Sequence, residues 1–297
     1  MTKPILFNFT DAELVAFLDD MGQPKFRAKQ IREWLNRGAP DFASMKNIPD
    51  TLRHALDDAA QTLPVRIVKK LESADGETTK FLLELHDGEQ IECVLMRTTY
   101  GNSVCVSSQA GCAMGCKFCA STIGGLVRNL TASEMLEQVY AAMRLTGEKI
   151  SNIVVMGTGE PLDNYDNLIR FIRLISDEEG YNISQRSITV SSCGIVPRIY
   201  DLAEENLSIT FALSLHAPSD EERKELMPIA YQYTLEETLA ACKAYFEKTG
   251  RRITFEYSLV KGKNDTEEQA LKLAKLLKGI NCHVNLIPVN PINERSF

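Results

Sequence analysis

No stretch of the 297-residue sequence approaches the roughly eighteen consecutive apolar residues that a membrane-crossing helix needs. The N-terminus has no leader pattern either: Met1-Thr-Lys-Pro-Ile-Leu-Phe-Asn soon meets Asp11 and Glu13, without a long apolar core or a cleavage site. A cytoplasmic protein that does not enter a membrane is expected. Basic residues are not in excess: 33 Lys and Arg stand against 40 Asp and Glu, a net charge of −7. That balance argues against a surface that coats nucleic acid everywhere, because phosphate binding draws on clustered cations. It leaves room for a local patch, and Lys25-Phe-Arg-Ala-Lys-Gln-Ile-Arg32 supplies one on a helix whose Phe26, Ile31, Trp34 and Leu35 are expected to face inward. A solvated helix face is the alternative reading of that stripe. An evenly spaced disulfide framework is also missing, since three of the eight cysteines fall within eight residues. Such crowding points to metal or catalytic thiols.

What is present is ordinary globular composition, 44% hydrophobic and 25% charged, enough for one large domain and a smaller appendage. Helical periodicity over 11–20, 25–37 and 50–61 predicts an N-terminal helical accessory domain at 1–62. Alternation then takes over, with Asp75-Gly76 and Asp87-Gly88 as hairpin turns, and predicts a short antiparallel β extension at 63–101. From 102 to 297 the pattern becomes strand, loop, helix. Strands are expected near 103–107, 152–156, 187–191, 208–214, 253–259 and 283–287. Thr131-x-x-Glu134, Thr234-x-x-Glu237 and Thr266-x-x-Gln269 open three helices as capping boxes, with Gly147, Gly250 and Gly279 as stops. The expected fold class is α/β, a partial (β/α)6 barrel with functional loops at the C-terminal ends of its parallel strands.

Cys112-Ala-Met-Gly-Cys116-Lys-Phe-Cys119 follows the first of those strands. Three thiolates on one loop suit a 4Fe–4S cluster whose fourth iron stays open to a further ligand. A structural zinc site is the rival, but it usually needs a fourth Cys or His in a second knuckle, and Cys193, His216 and His283 are each isolated. Gly157-Thr-Gly-Glu-Pro161 follows the second strand. The C-x3-C-x2-C spacing, with an aromatic before its last cysteine, and this Gly-Glu-Pro element resemble the radical S-adenosylmethionine (SAM) superfamily. The longer strings Cys105-Val-Ser-Ser-Gln-Ala-Gly-Cys112, Arg128-Asn-Leu-Thr, Ser214-Leu-His216-Ala and Asn285-Leu-Ile-Pro-Val-Asn290-Pro are more specific. They resemble the RlmN/Cfr family of RNA methyltransferases across nearly all of residues 10–297, and Pro24-Lys-Phe-Arg-Ala-Lys-Gln-Ile looks like that family's N-terminal helical domain.

The resemblance implies a radical SAM methyltransferase acting on C2 of adenosine in 23S rRNA, at the peptidyl-transferase centre, and in tRNA beside the anticodon. The related Cfr group, which acts on C8, is the alternative; Pro161 and Pro288 resemble the C2 enzymes more. It implies a 4Fe–4S cluster on Cys112, Cys116 and Cys119, and SAM chelating the open iron. SAM is expected among Gly159, Glu160, Ser191, Ser214, Leu215, His216 and Asn290. In the implied reaction one SAM methylates a carrier cysteine, and a second yields an adenosyl radical that abstracts hydrogen from that methyl group. The resulting carbon radical adds to C2, and a second cysteine then removes the C2 proton, so that the enzyme–RNA thioether breaks as a disulfide forms. Cys105 matches the second cysteine and Glu92 the family's proton acceptor. Each has a plainer reading, Cys105 as a small buried strand residue and Glu92 as a solvated one. Cys93, Cys193, Cys242 and Cys282 match no such position and are expected to pack in the interior.

The family's carrier cysteine lies in a C-terminal Ala-Ala-Cys-Gly-Gln segment that has no counterpart before Phe297. A truncated chain is therefore expected, or a SAM- or RNA-binding remnant without methyl transfer; a radical SAM enzyme with another substrate is a further alternative. A monomer served by a flavodoxin or ferredoxin completes the expectation.

Overall fold

The computed structural model describes residues 3–62, 65–178 and 180–289. In chain order its elements are α1 (Asp11–Asp20), α2 (Phe26–Asn36), α3 (Asp50–Ala59), β1 (Arg66–Glu72), β2 (Thr78–Glu84), β3 (Gln90–Thr98), β4 (Gly101–Cys105), β5 (Gln109–Gly111) and β6 (Leu126–Asn129). There follow α4 (Ala132–Thr146), β7 (Ile150–Val155), α5 (Tyr165–Ser176), β8 (Ile188–Ser192), α6 (Val196–Glu204), β9 (Thr210–Ser214), α7 (Asp220–Leu226), α8 (Leu235–Thr249), β10 (Ile253–Leu259), α9 (Glu267–Leu276) and β11 (Cys282–Pro288). The chain divides into two compact units, each discontinuous in sequence: 1–107 with 130–153 and 166–184, and 108–129 with 154–165 and 185–297.

In the first unit, α1 to α3 bury Leu14, Leu18, Ile31, Leu35, Leu52 and Leu56 almost completely. Each such side chain contributes roughly 1.5–3 kcal/mol on leaving water. Arg32 is also buried, held by Asp11 at 2.6 Å and by the Phe9 carbonyl. The expected inward face of α2 needs correction at Phe26, which is 57% exposed with the Arg27 guanidinium 4.8 Å over its ring. Ala28, Ile31 and Leu35 are the buried apolar residues of this helix, and Phe26 at its first turn lies off their stripe. Lys25 and Lys29 are exposed, whereas Arg32 is not, so the basic stripe is shorter than the sequence suggests.

The predicted hairpins form at Asp75-Gly76 and Asp87-Gly88, with both glycines at positive φ. The antiparallel run does not stop at β3: β3 pairs with β4 from Val94↔Cys105 to Thr98↔Gly101. The extension is thus one meander, β1-β2-β3-β4, with β7 next in order. Gly101 (φ +110) lets β4 approach β7, because a Cβ there would meet the Ser151 side chain at 2.8 Å.

The second unit carries the parallel order β8-β9-β10-β11, with an α-helix in each connection. Its registers run from Thr189↔Thr210 for β8 with β9, Thr254↔Ala212 for β10 with β9, and Ile253↔Cys282 for β10 with β11. All three predicted capping boxes are formed, at Thr131, Thr234 and Thr266. Gly147 and Gly250 stop their helices in the left-handed conformation. Gly279 does not: α9 is capped two residues earlier by Leu277, and Gly279 at φ +84 turns the chain after it. These strand ends, with helices behind them, are the α/β framework of a partial barrel, and they set the floor of the site.

Candidate functional site

The three cysteines lie between the short strands β5 and β6, a hairpin that replaces the plain loop expected from the sequence. Its closing contact is tight: Cys112 N–H donates to the Gly125 carbonyl at 2.9 Å, and a Cβ on Gly111 (φ +74) would sit 2.0 Å from that same oxygen. Inside the hairpin the chain turns at Gly115 (φ +68), Cys119 N–H donates to the Cys116 carbonyl at 3.2 Å, and the Thr122 hydroxyl ties down the carbonyls of Cys116 and Cys119 at 3.1 and 3.0 Å. The loop is thereby fixed with its side chains turned to one cavity of about 240 Å³.

Cys112, Cys116 and Cys119 all line that cavity, together with Gly159, Glu160, Ser191, Ser214 and His216. Leu215 is fully buried and does not line it; its N–H donates to the Glu256 carbonyl at 3.0 Å. Asn290 lies outside the described residues. Glu92 and Cys105 belong to the first unit. There Val94 opposes Cys105 across β3 and β4, and Ser107 Oγ donates to the Glu92 carbonyl at 2.7 Å one step further along. Glu92, Val94 and Cys105 therefore share a face of the sheet, with Glu92 and Cys105 as diagonal cross-strand neighbours. Glu92 is exposed and ion-paired with Lys80; Cys105 is half-buried. Of the four cysteines expected to pack inside, Cys93 and Cys242 do so, whereas Cys193 is buried against the cavity itself and Cys282, on β11, is only half-buried.

Gly159 (φ +110) has no room for a side chain, since a Cβ would meet Gln109 Cβ at 2.6 Å and Gln109 N at 2.8 Å. Gln109 is fully buried and organises the turn: its Oε1 accepts from Glu160 N–H at 2.8 Å, and its amide donates to Asn129 and Asp163 at 2.7 and 2.9 Å. The Glu160 carboxylate, 3% exposed, accepts the N–H groups of Cys193 (2.7 Å) and Leu162 (3.0 Å). Burial raises its pKa, and these hydrogen bonds oppose the rise.

His216 adopts φ +58, a left-handed conformation that costs a non-glycine residue roughly 1–2 kcal/mol. Its Nδ1 accepts the Ser258 N–H at 2.9 Å, its carbonyl accepts from Asn264 at 2.7 Å, and its ring meets Phe118 edge to face at 4.9 Å. Burial first, and then the nearby Arg223 charge, lower its pKa to about 3, so it stays neutral. Ser191 Oγ and Ser214 Oγ lie 3.5 Å apart at adjacent strand ends. Gln109, Phe118, Arg223, Ser258 and Asn264 do not stand out in the sequence as site residues. Gln109 and Phe118 sit inside recognisable motifs; the others carry no spacing signal.

The donor set, three cysteines of one hairpin lining one cavity, fits an iron–sulfur cluster. No group of three His, Cys, Asp or Glu side chains that could hold one metal ion occurs among the described residues. A cluster instead takes one thiolate per iron, at wider separation. Burial pushes the Cys112 thiol to about 11 and the Cys116 thiol to about 12, so each must give up its proton to a metal to become a ligand. A larger open groove of about 580 Å³, lined in part by Glu33, Arg37, Glu148 and Lys149, contains no thiol and no such turn.

A cysteine hairpin facing a glycine-rich acidic turn at the C-terminal ends of parallel strands defines a radical SAM enzyme. Residues 106–274 match the family model "Radical SAM superfamily", and residues 5–62 match "Ribosomal RNA large subunit methyltransferase N-terminal domain". The chain is 56% identical over 292 residues to a probable dual-specificity RNA methyltransferase RlmN of Clostridium acetobutylicum, covering 98% of this chain and 85% of that protein. It is 58% identical over 286 residues to the protein of the same name from Lachnoclostridium phytofermentans, covering 96% and 80%. A crystal structure of a radical SAM methyltransferase from Sphaerobacter thermophilus superimposes with a TM-score of 0.94 at 46% identity, over 97% of this chain and 86% of that one. The chain belongs to the RlmN family of radical SAM methyltransferases.

Proposed function

We propose that this chain is the catalytic framework of an RNA methyltransferase that modifies C2 of adenosine in 23S rRNA and in tRNA beside the anticodon. The observation that carries the reading is the cavity gathering three cysteines, the Gly159-Glu160 turn and two strand-end serines, in a chain similar to RlmN proteins along 98% of its length. Cys112, Cys116 and Cys119 would hold a 4Fe–4S cluster, and SAM would lie against Gly159, Glu160, Ser191, Ser214 and His216, with Asn290 as a further contact. When bound, the two supply an electron and a carbon-centred radical, chemistry that adenine C2, a poor nucleophile, requires.

The protein's own residues bind, orient and move protons. Glu160, already accepting two backbone N–H groups, presents a fixed acidic site for an amino group. The neutral His216 ring, clamped by Ser258 and Phe118, offers an apolar face and a single N–H. Glu92 is the proton acceptor, exposed where a base can be brought to it, and Cys105 is the thiol that ends the reaction. Residues 1–62 form an accessory domain for RNA, residues 63–101 a β extension, and residues 102–297 the partial barrel. The electron donor is of the flavodoxin or ferredoxin type, and the protein works as a cytoplasmic monomer. No helix among the described residues is long and apolar enough to cross a membrane.

Anaerobic reconstitution should give iron–sulfur absorbance, and release of 5′-deoxyadenosine from SAM with reductant that Cys116→Ala abolishes. Nucleoside mass spectrometry after incubation of a 23S rRNA fragment with the chain extended by the family's Ala-Ala-Cys-Gly-Gln carrier segment then separates the alternatives. 2-Methyladenosine supports the reading, 8-methyladenosine assigns the chain to C8 chemistry, and unmodified adenosine beside 5′-deoxyadenosine reduces it to a SAM-cleaving remnant. Tight zinc with no iron would overturn it.

A further inference from the structure

Arg223 is a fully buried cation whose hydrogen bonds, among the described residues, run to neutral carbonyls. Nη2 donates to the Cys193 carbonyl at 2.6 Å and to the Ser214 carbonyl at 3.3 Å, and Nε to the Leu215 carbonyl at 3.3 Å. Nη1 is buried with no hydrogen-bond partner among the described residues. A guanidinium so placed has lost its hydration; Asp220 attracts it electrostatically, but Asp220 Oδ1 accepts the Leu235 N–H and no carboxylate is hydrogen-bonded to Arg223 among the described residues, an arrangement that stays costly unless a further negative charge repays it.

Its position says where that charge would be. The three carbonyls it gathers stand at or just beyond the ends of β8 and β9, and Ser191, Ser192, Cys193, Ser214 and His216 from those same strand ends line the cysteine cavity. Cys116 and Cys193 share one buried cluster with Leu226 and Met227, which follow Arg223 by one turn of chain. A cluster bound by three thiolates carries net negative charge that grows by one on reduction, so a fixed buried cation favours the reduced form.

We infer that Arg223 is a positioning residue that serves as the buried countercharge of the cluster and raises its reduction potential, while fastening the ends of β8 and β9 behind it. The inference rests on the cluster assignment of the proposed function, and iron content checks that assignment separately. The test is a spectroelectrochemical titration of reconstituted protein. At equal iron per chain, Arg223→Gln should shift the reduced-to-oxidised ratio at a given potential at least tenfold toward the oxidised form, about 59 mV more negative for one electron. Arg223→Lys keeps the charge and should recover most of that shift, which a purely structural role for the guanidinium fork would not allow. Cys242 faces the same cation from α8 and is fully buried. Cys242→Asp neutralises Arg223 without removing it and should move the potential in the same direction. If Arg223→Gln does not fold or load iron, the Cys242→Asp protein decides. An unchanged potential in an iron-loaded neutralised variant overturns the inference, and wild-type protein that takes up no iron overturns the cluster assignment instead.

Discussion

Glu137 sits on α4 at 1% exposure, paired with Arg144. Burial raises its pKa to about 7, with Arg144 pulling the other way. The folded value lies above the ordinary 4.5, so the fold favours the protonated acid. Below about pH 4.5 both folded and unfolded chains hold that proton and nothing is lost. As pH rises from about 4.5 to about 7 the unfolded chain gives it up first, and the fold loses on the order of 3 kcal/mol. Thermal or denaturant melts between pH 5 and 8 should therefore show stability falling with pH, and Glu137→Gln should flatten that slope; an identical slope in the variant would refute the assignment. Single residues are the least legible level of this sequence. Glu160 and His216 are visible through their motifs. Arg223 and Glu137 look like any surface charge until the fold shows what buries them.

Among the elements, the β5–β6 hairpin shows where pattern reading succeeds and fails. Helices with capping boxes are legible within a residue or two, because Thr and Glu three apart satisfy the first free N–H groups locally. Strands β8 to β11 are legible because parallel strands read as short apolar runs between loops. The three- and four-residue strands β5 and β6 have no such period, and the pairs that create them, Gln109↔Asn129 and Ala110↔Arg128, join residues about twenty positions apart. The meander's continuation into β4 is hidden for the same reason: pairing across a turn is a tertiary choice. Gly111→Ala should break the hairpin, since its Cβ has nowhere to go. Iron bound per chain after reconstitution should fall below half of wild type while far-UV circular dichroism stays near native. Full iron loading in that variant would show that the hairpin is dispensable.

For the whole molecule, charge is distributed against its own average. The net −7 makes general attraction to RNA weak, and the exposed Lys25 and Lys29, with Arg27 stacked on Phe26, form a local exception at the start of α2. Binding of a single-stranded RNA substrate should then depend on salt less steeply than for a basic protein. Lys25→Ala with Lys29→Ala should flatten the slope of log affinity against log salt by roughly 0.7 for each phosphate that these lysines neutralise; an unchanged slope would place the RNA elsewhere. Gly159 adds a constraint of another kind. A position where any Cβ strikes Gln109 admits glycine alone, and every base change that alters the meaning of a glycine codon, short of a stop, encodes a residue with a Cβ. Lineages carrying this turn have no neighbouring amino acid to drift through, so the turn is inherited intact or lost along with its chemistry.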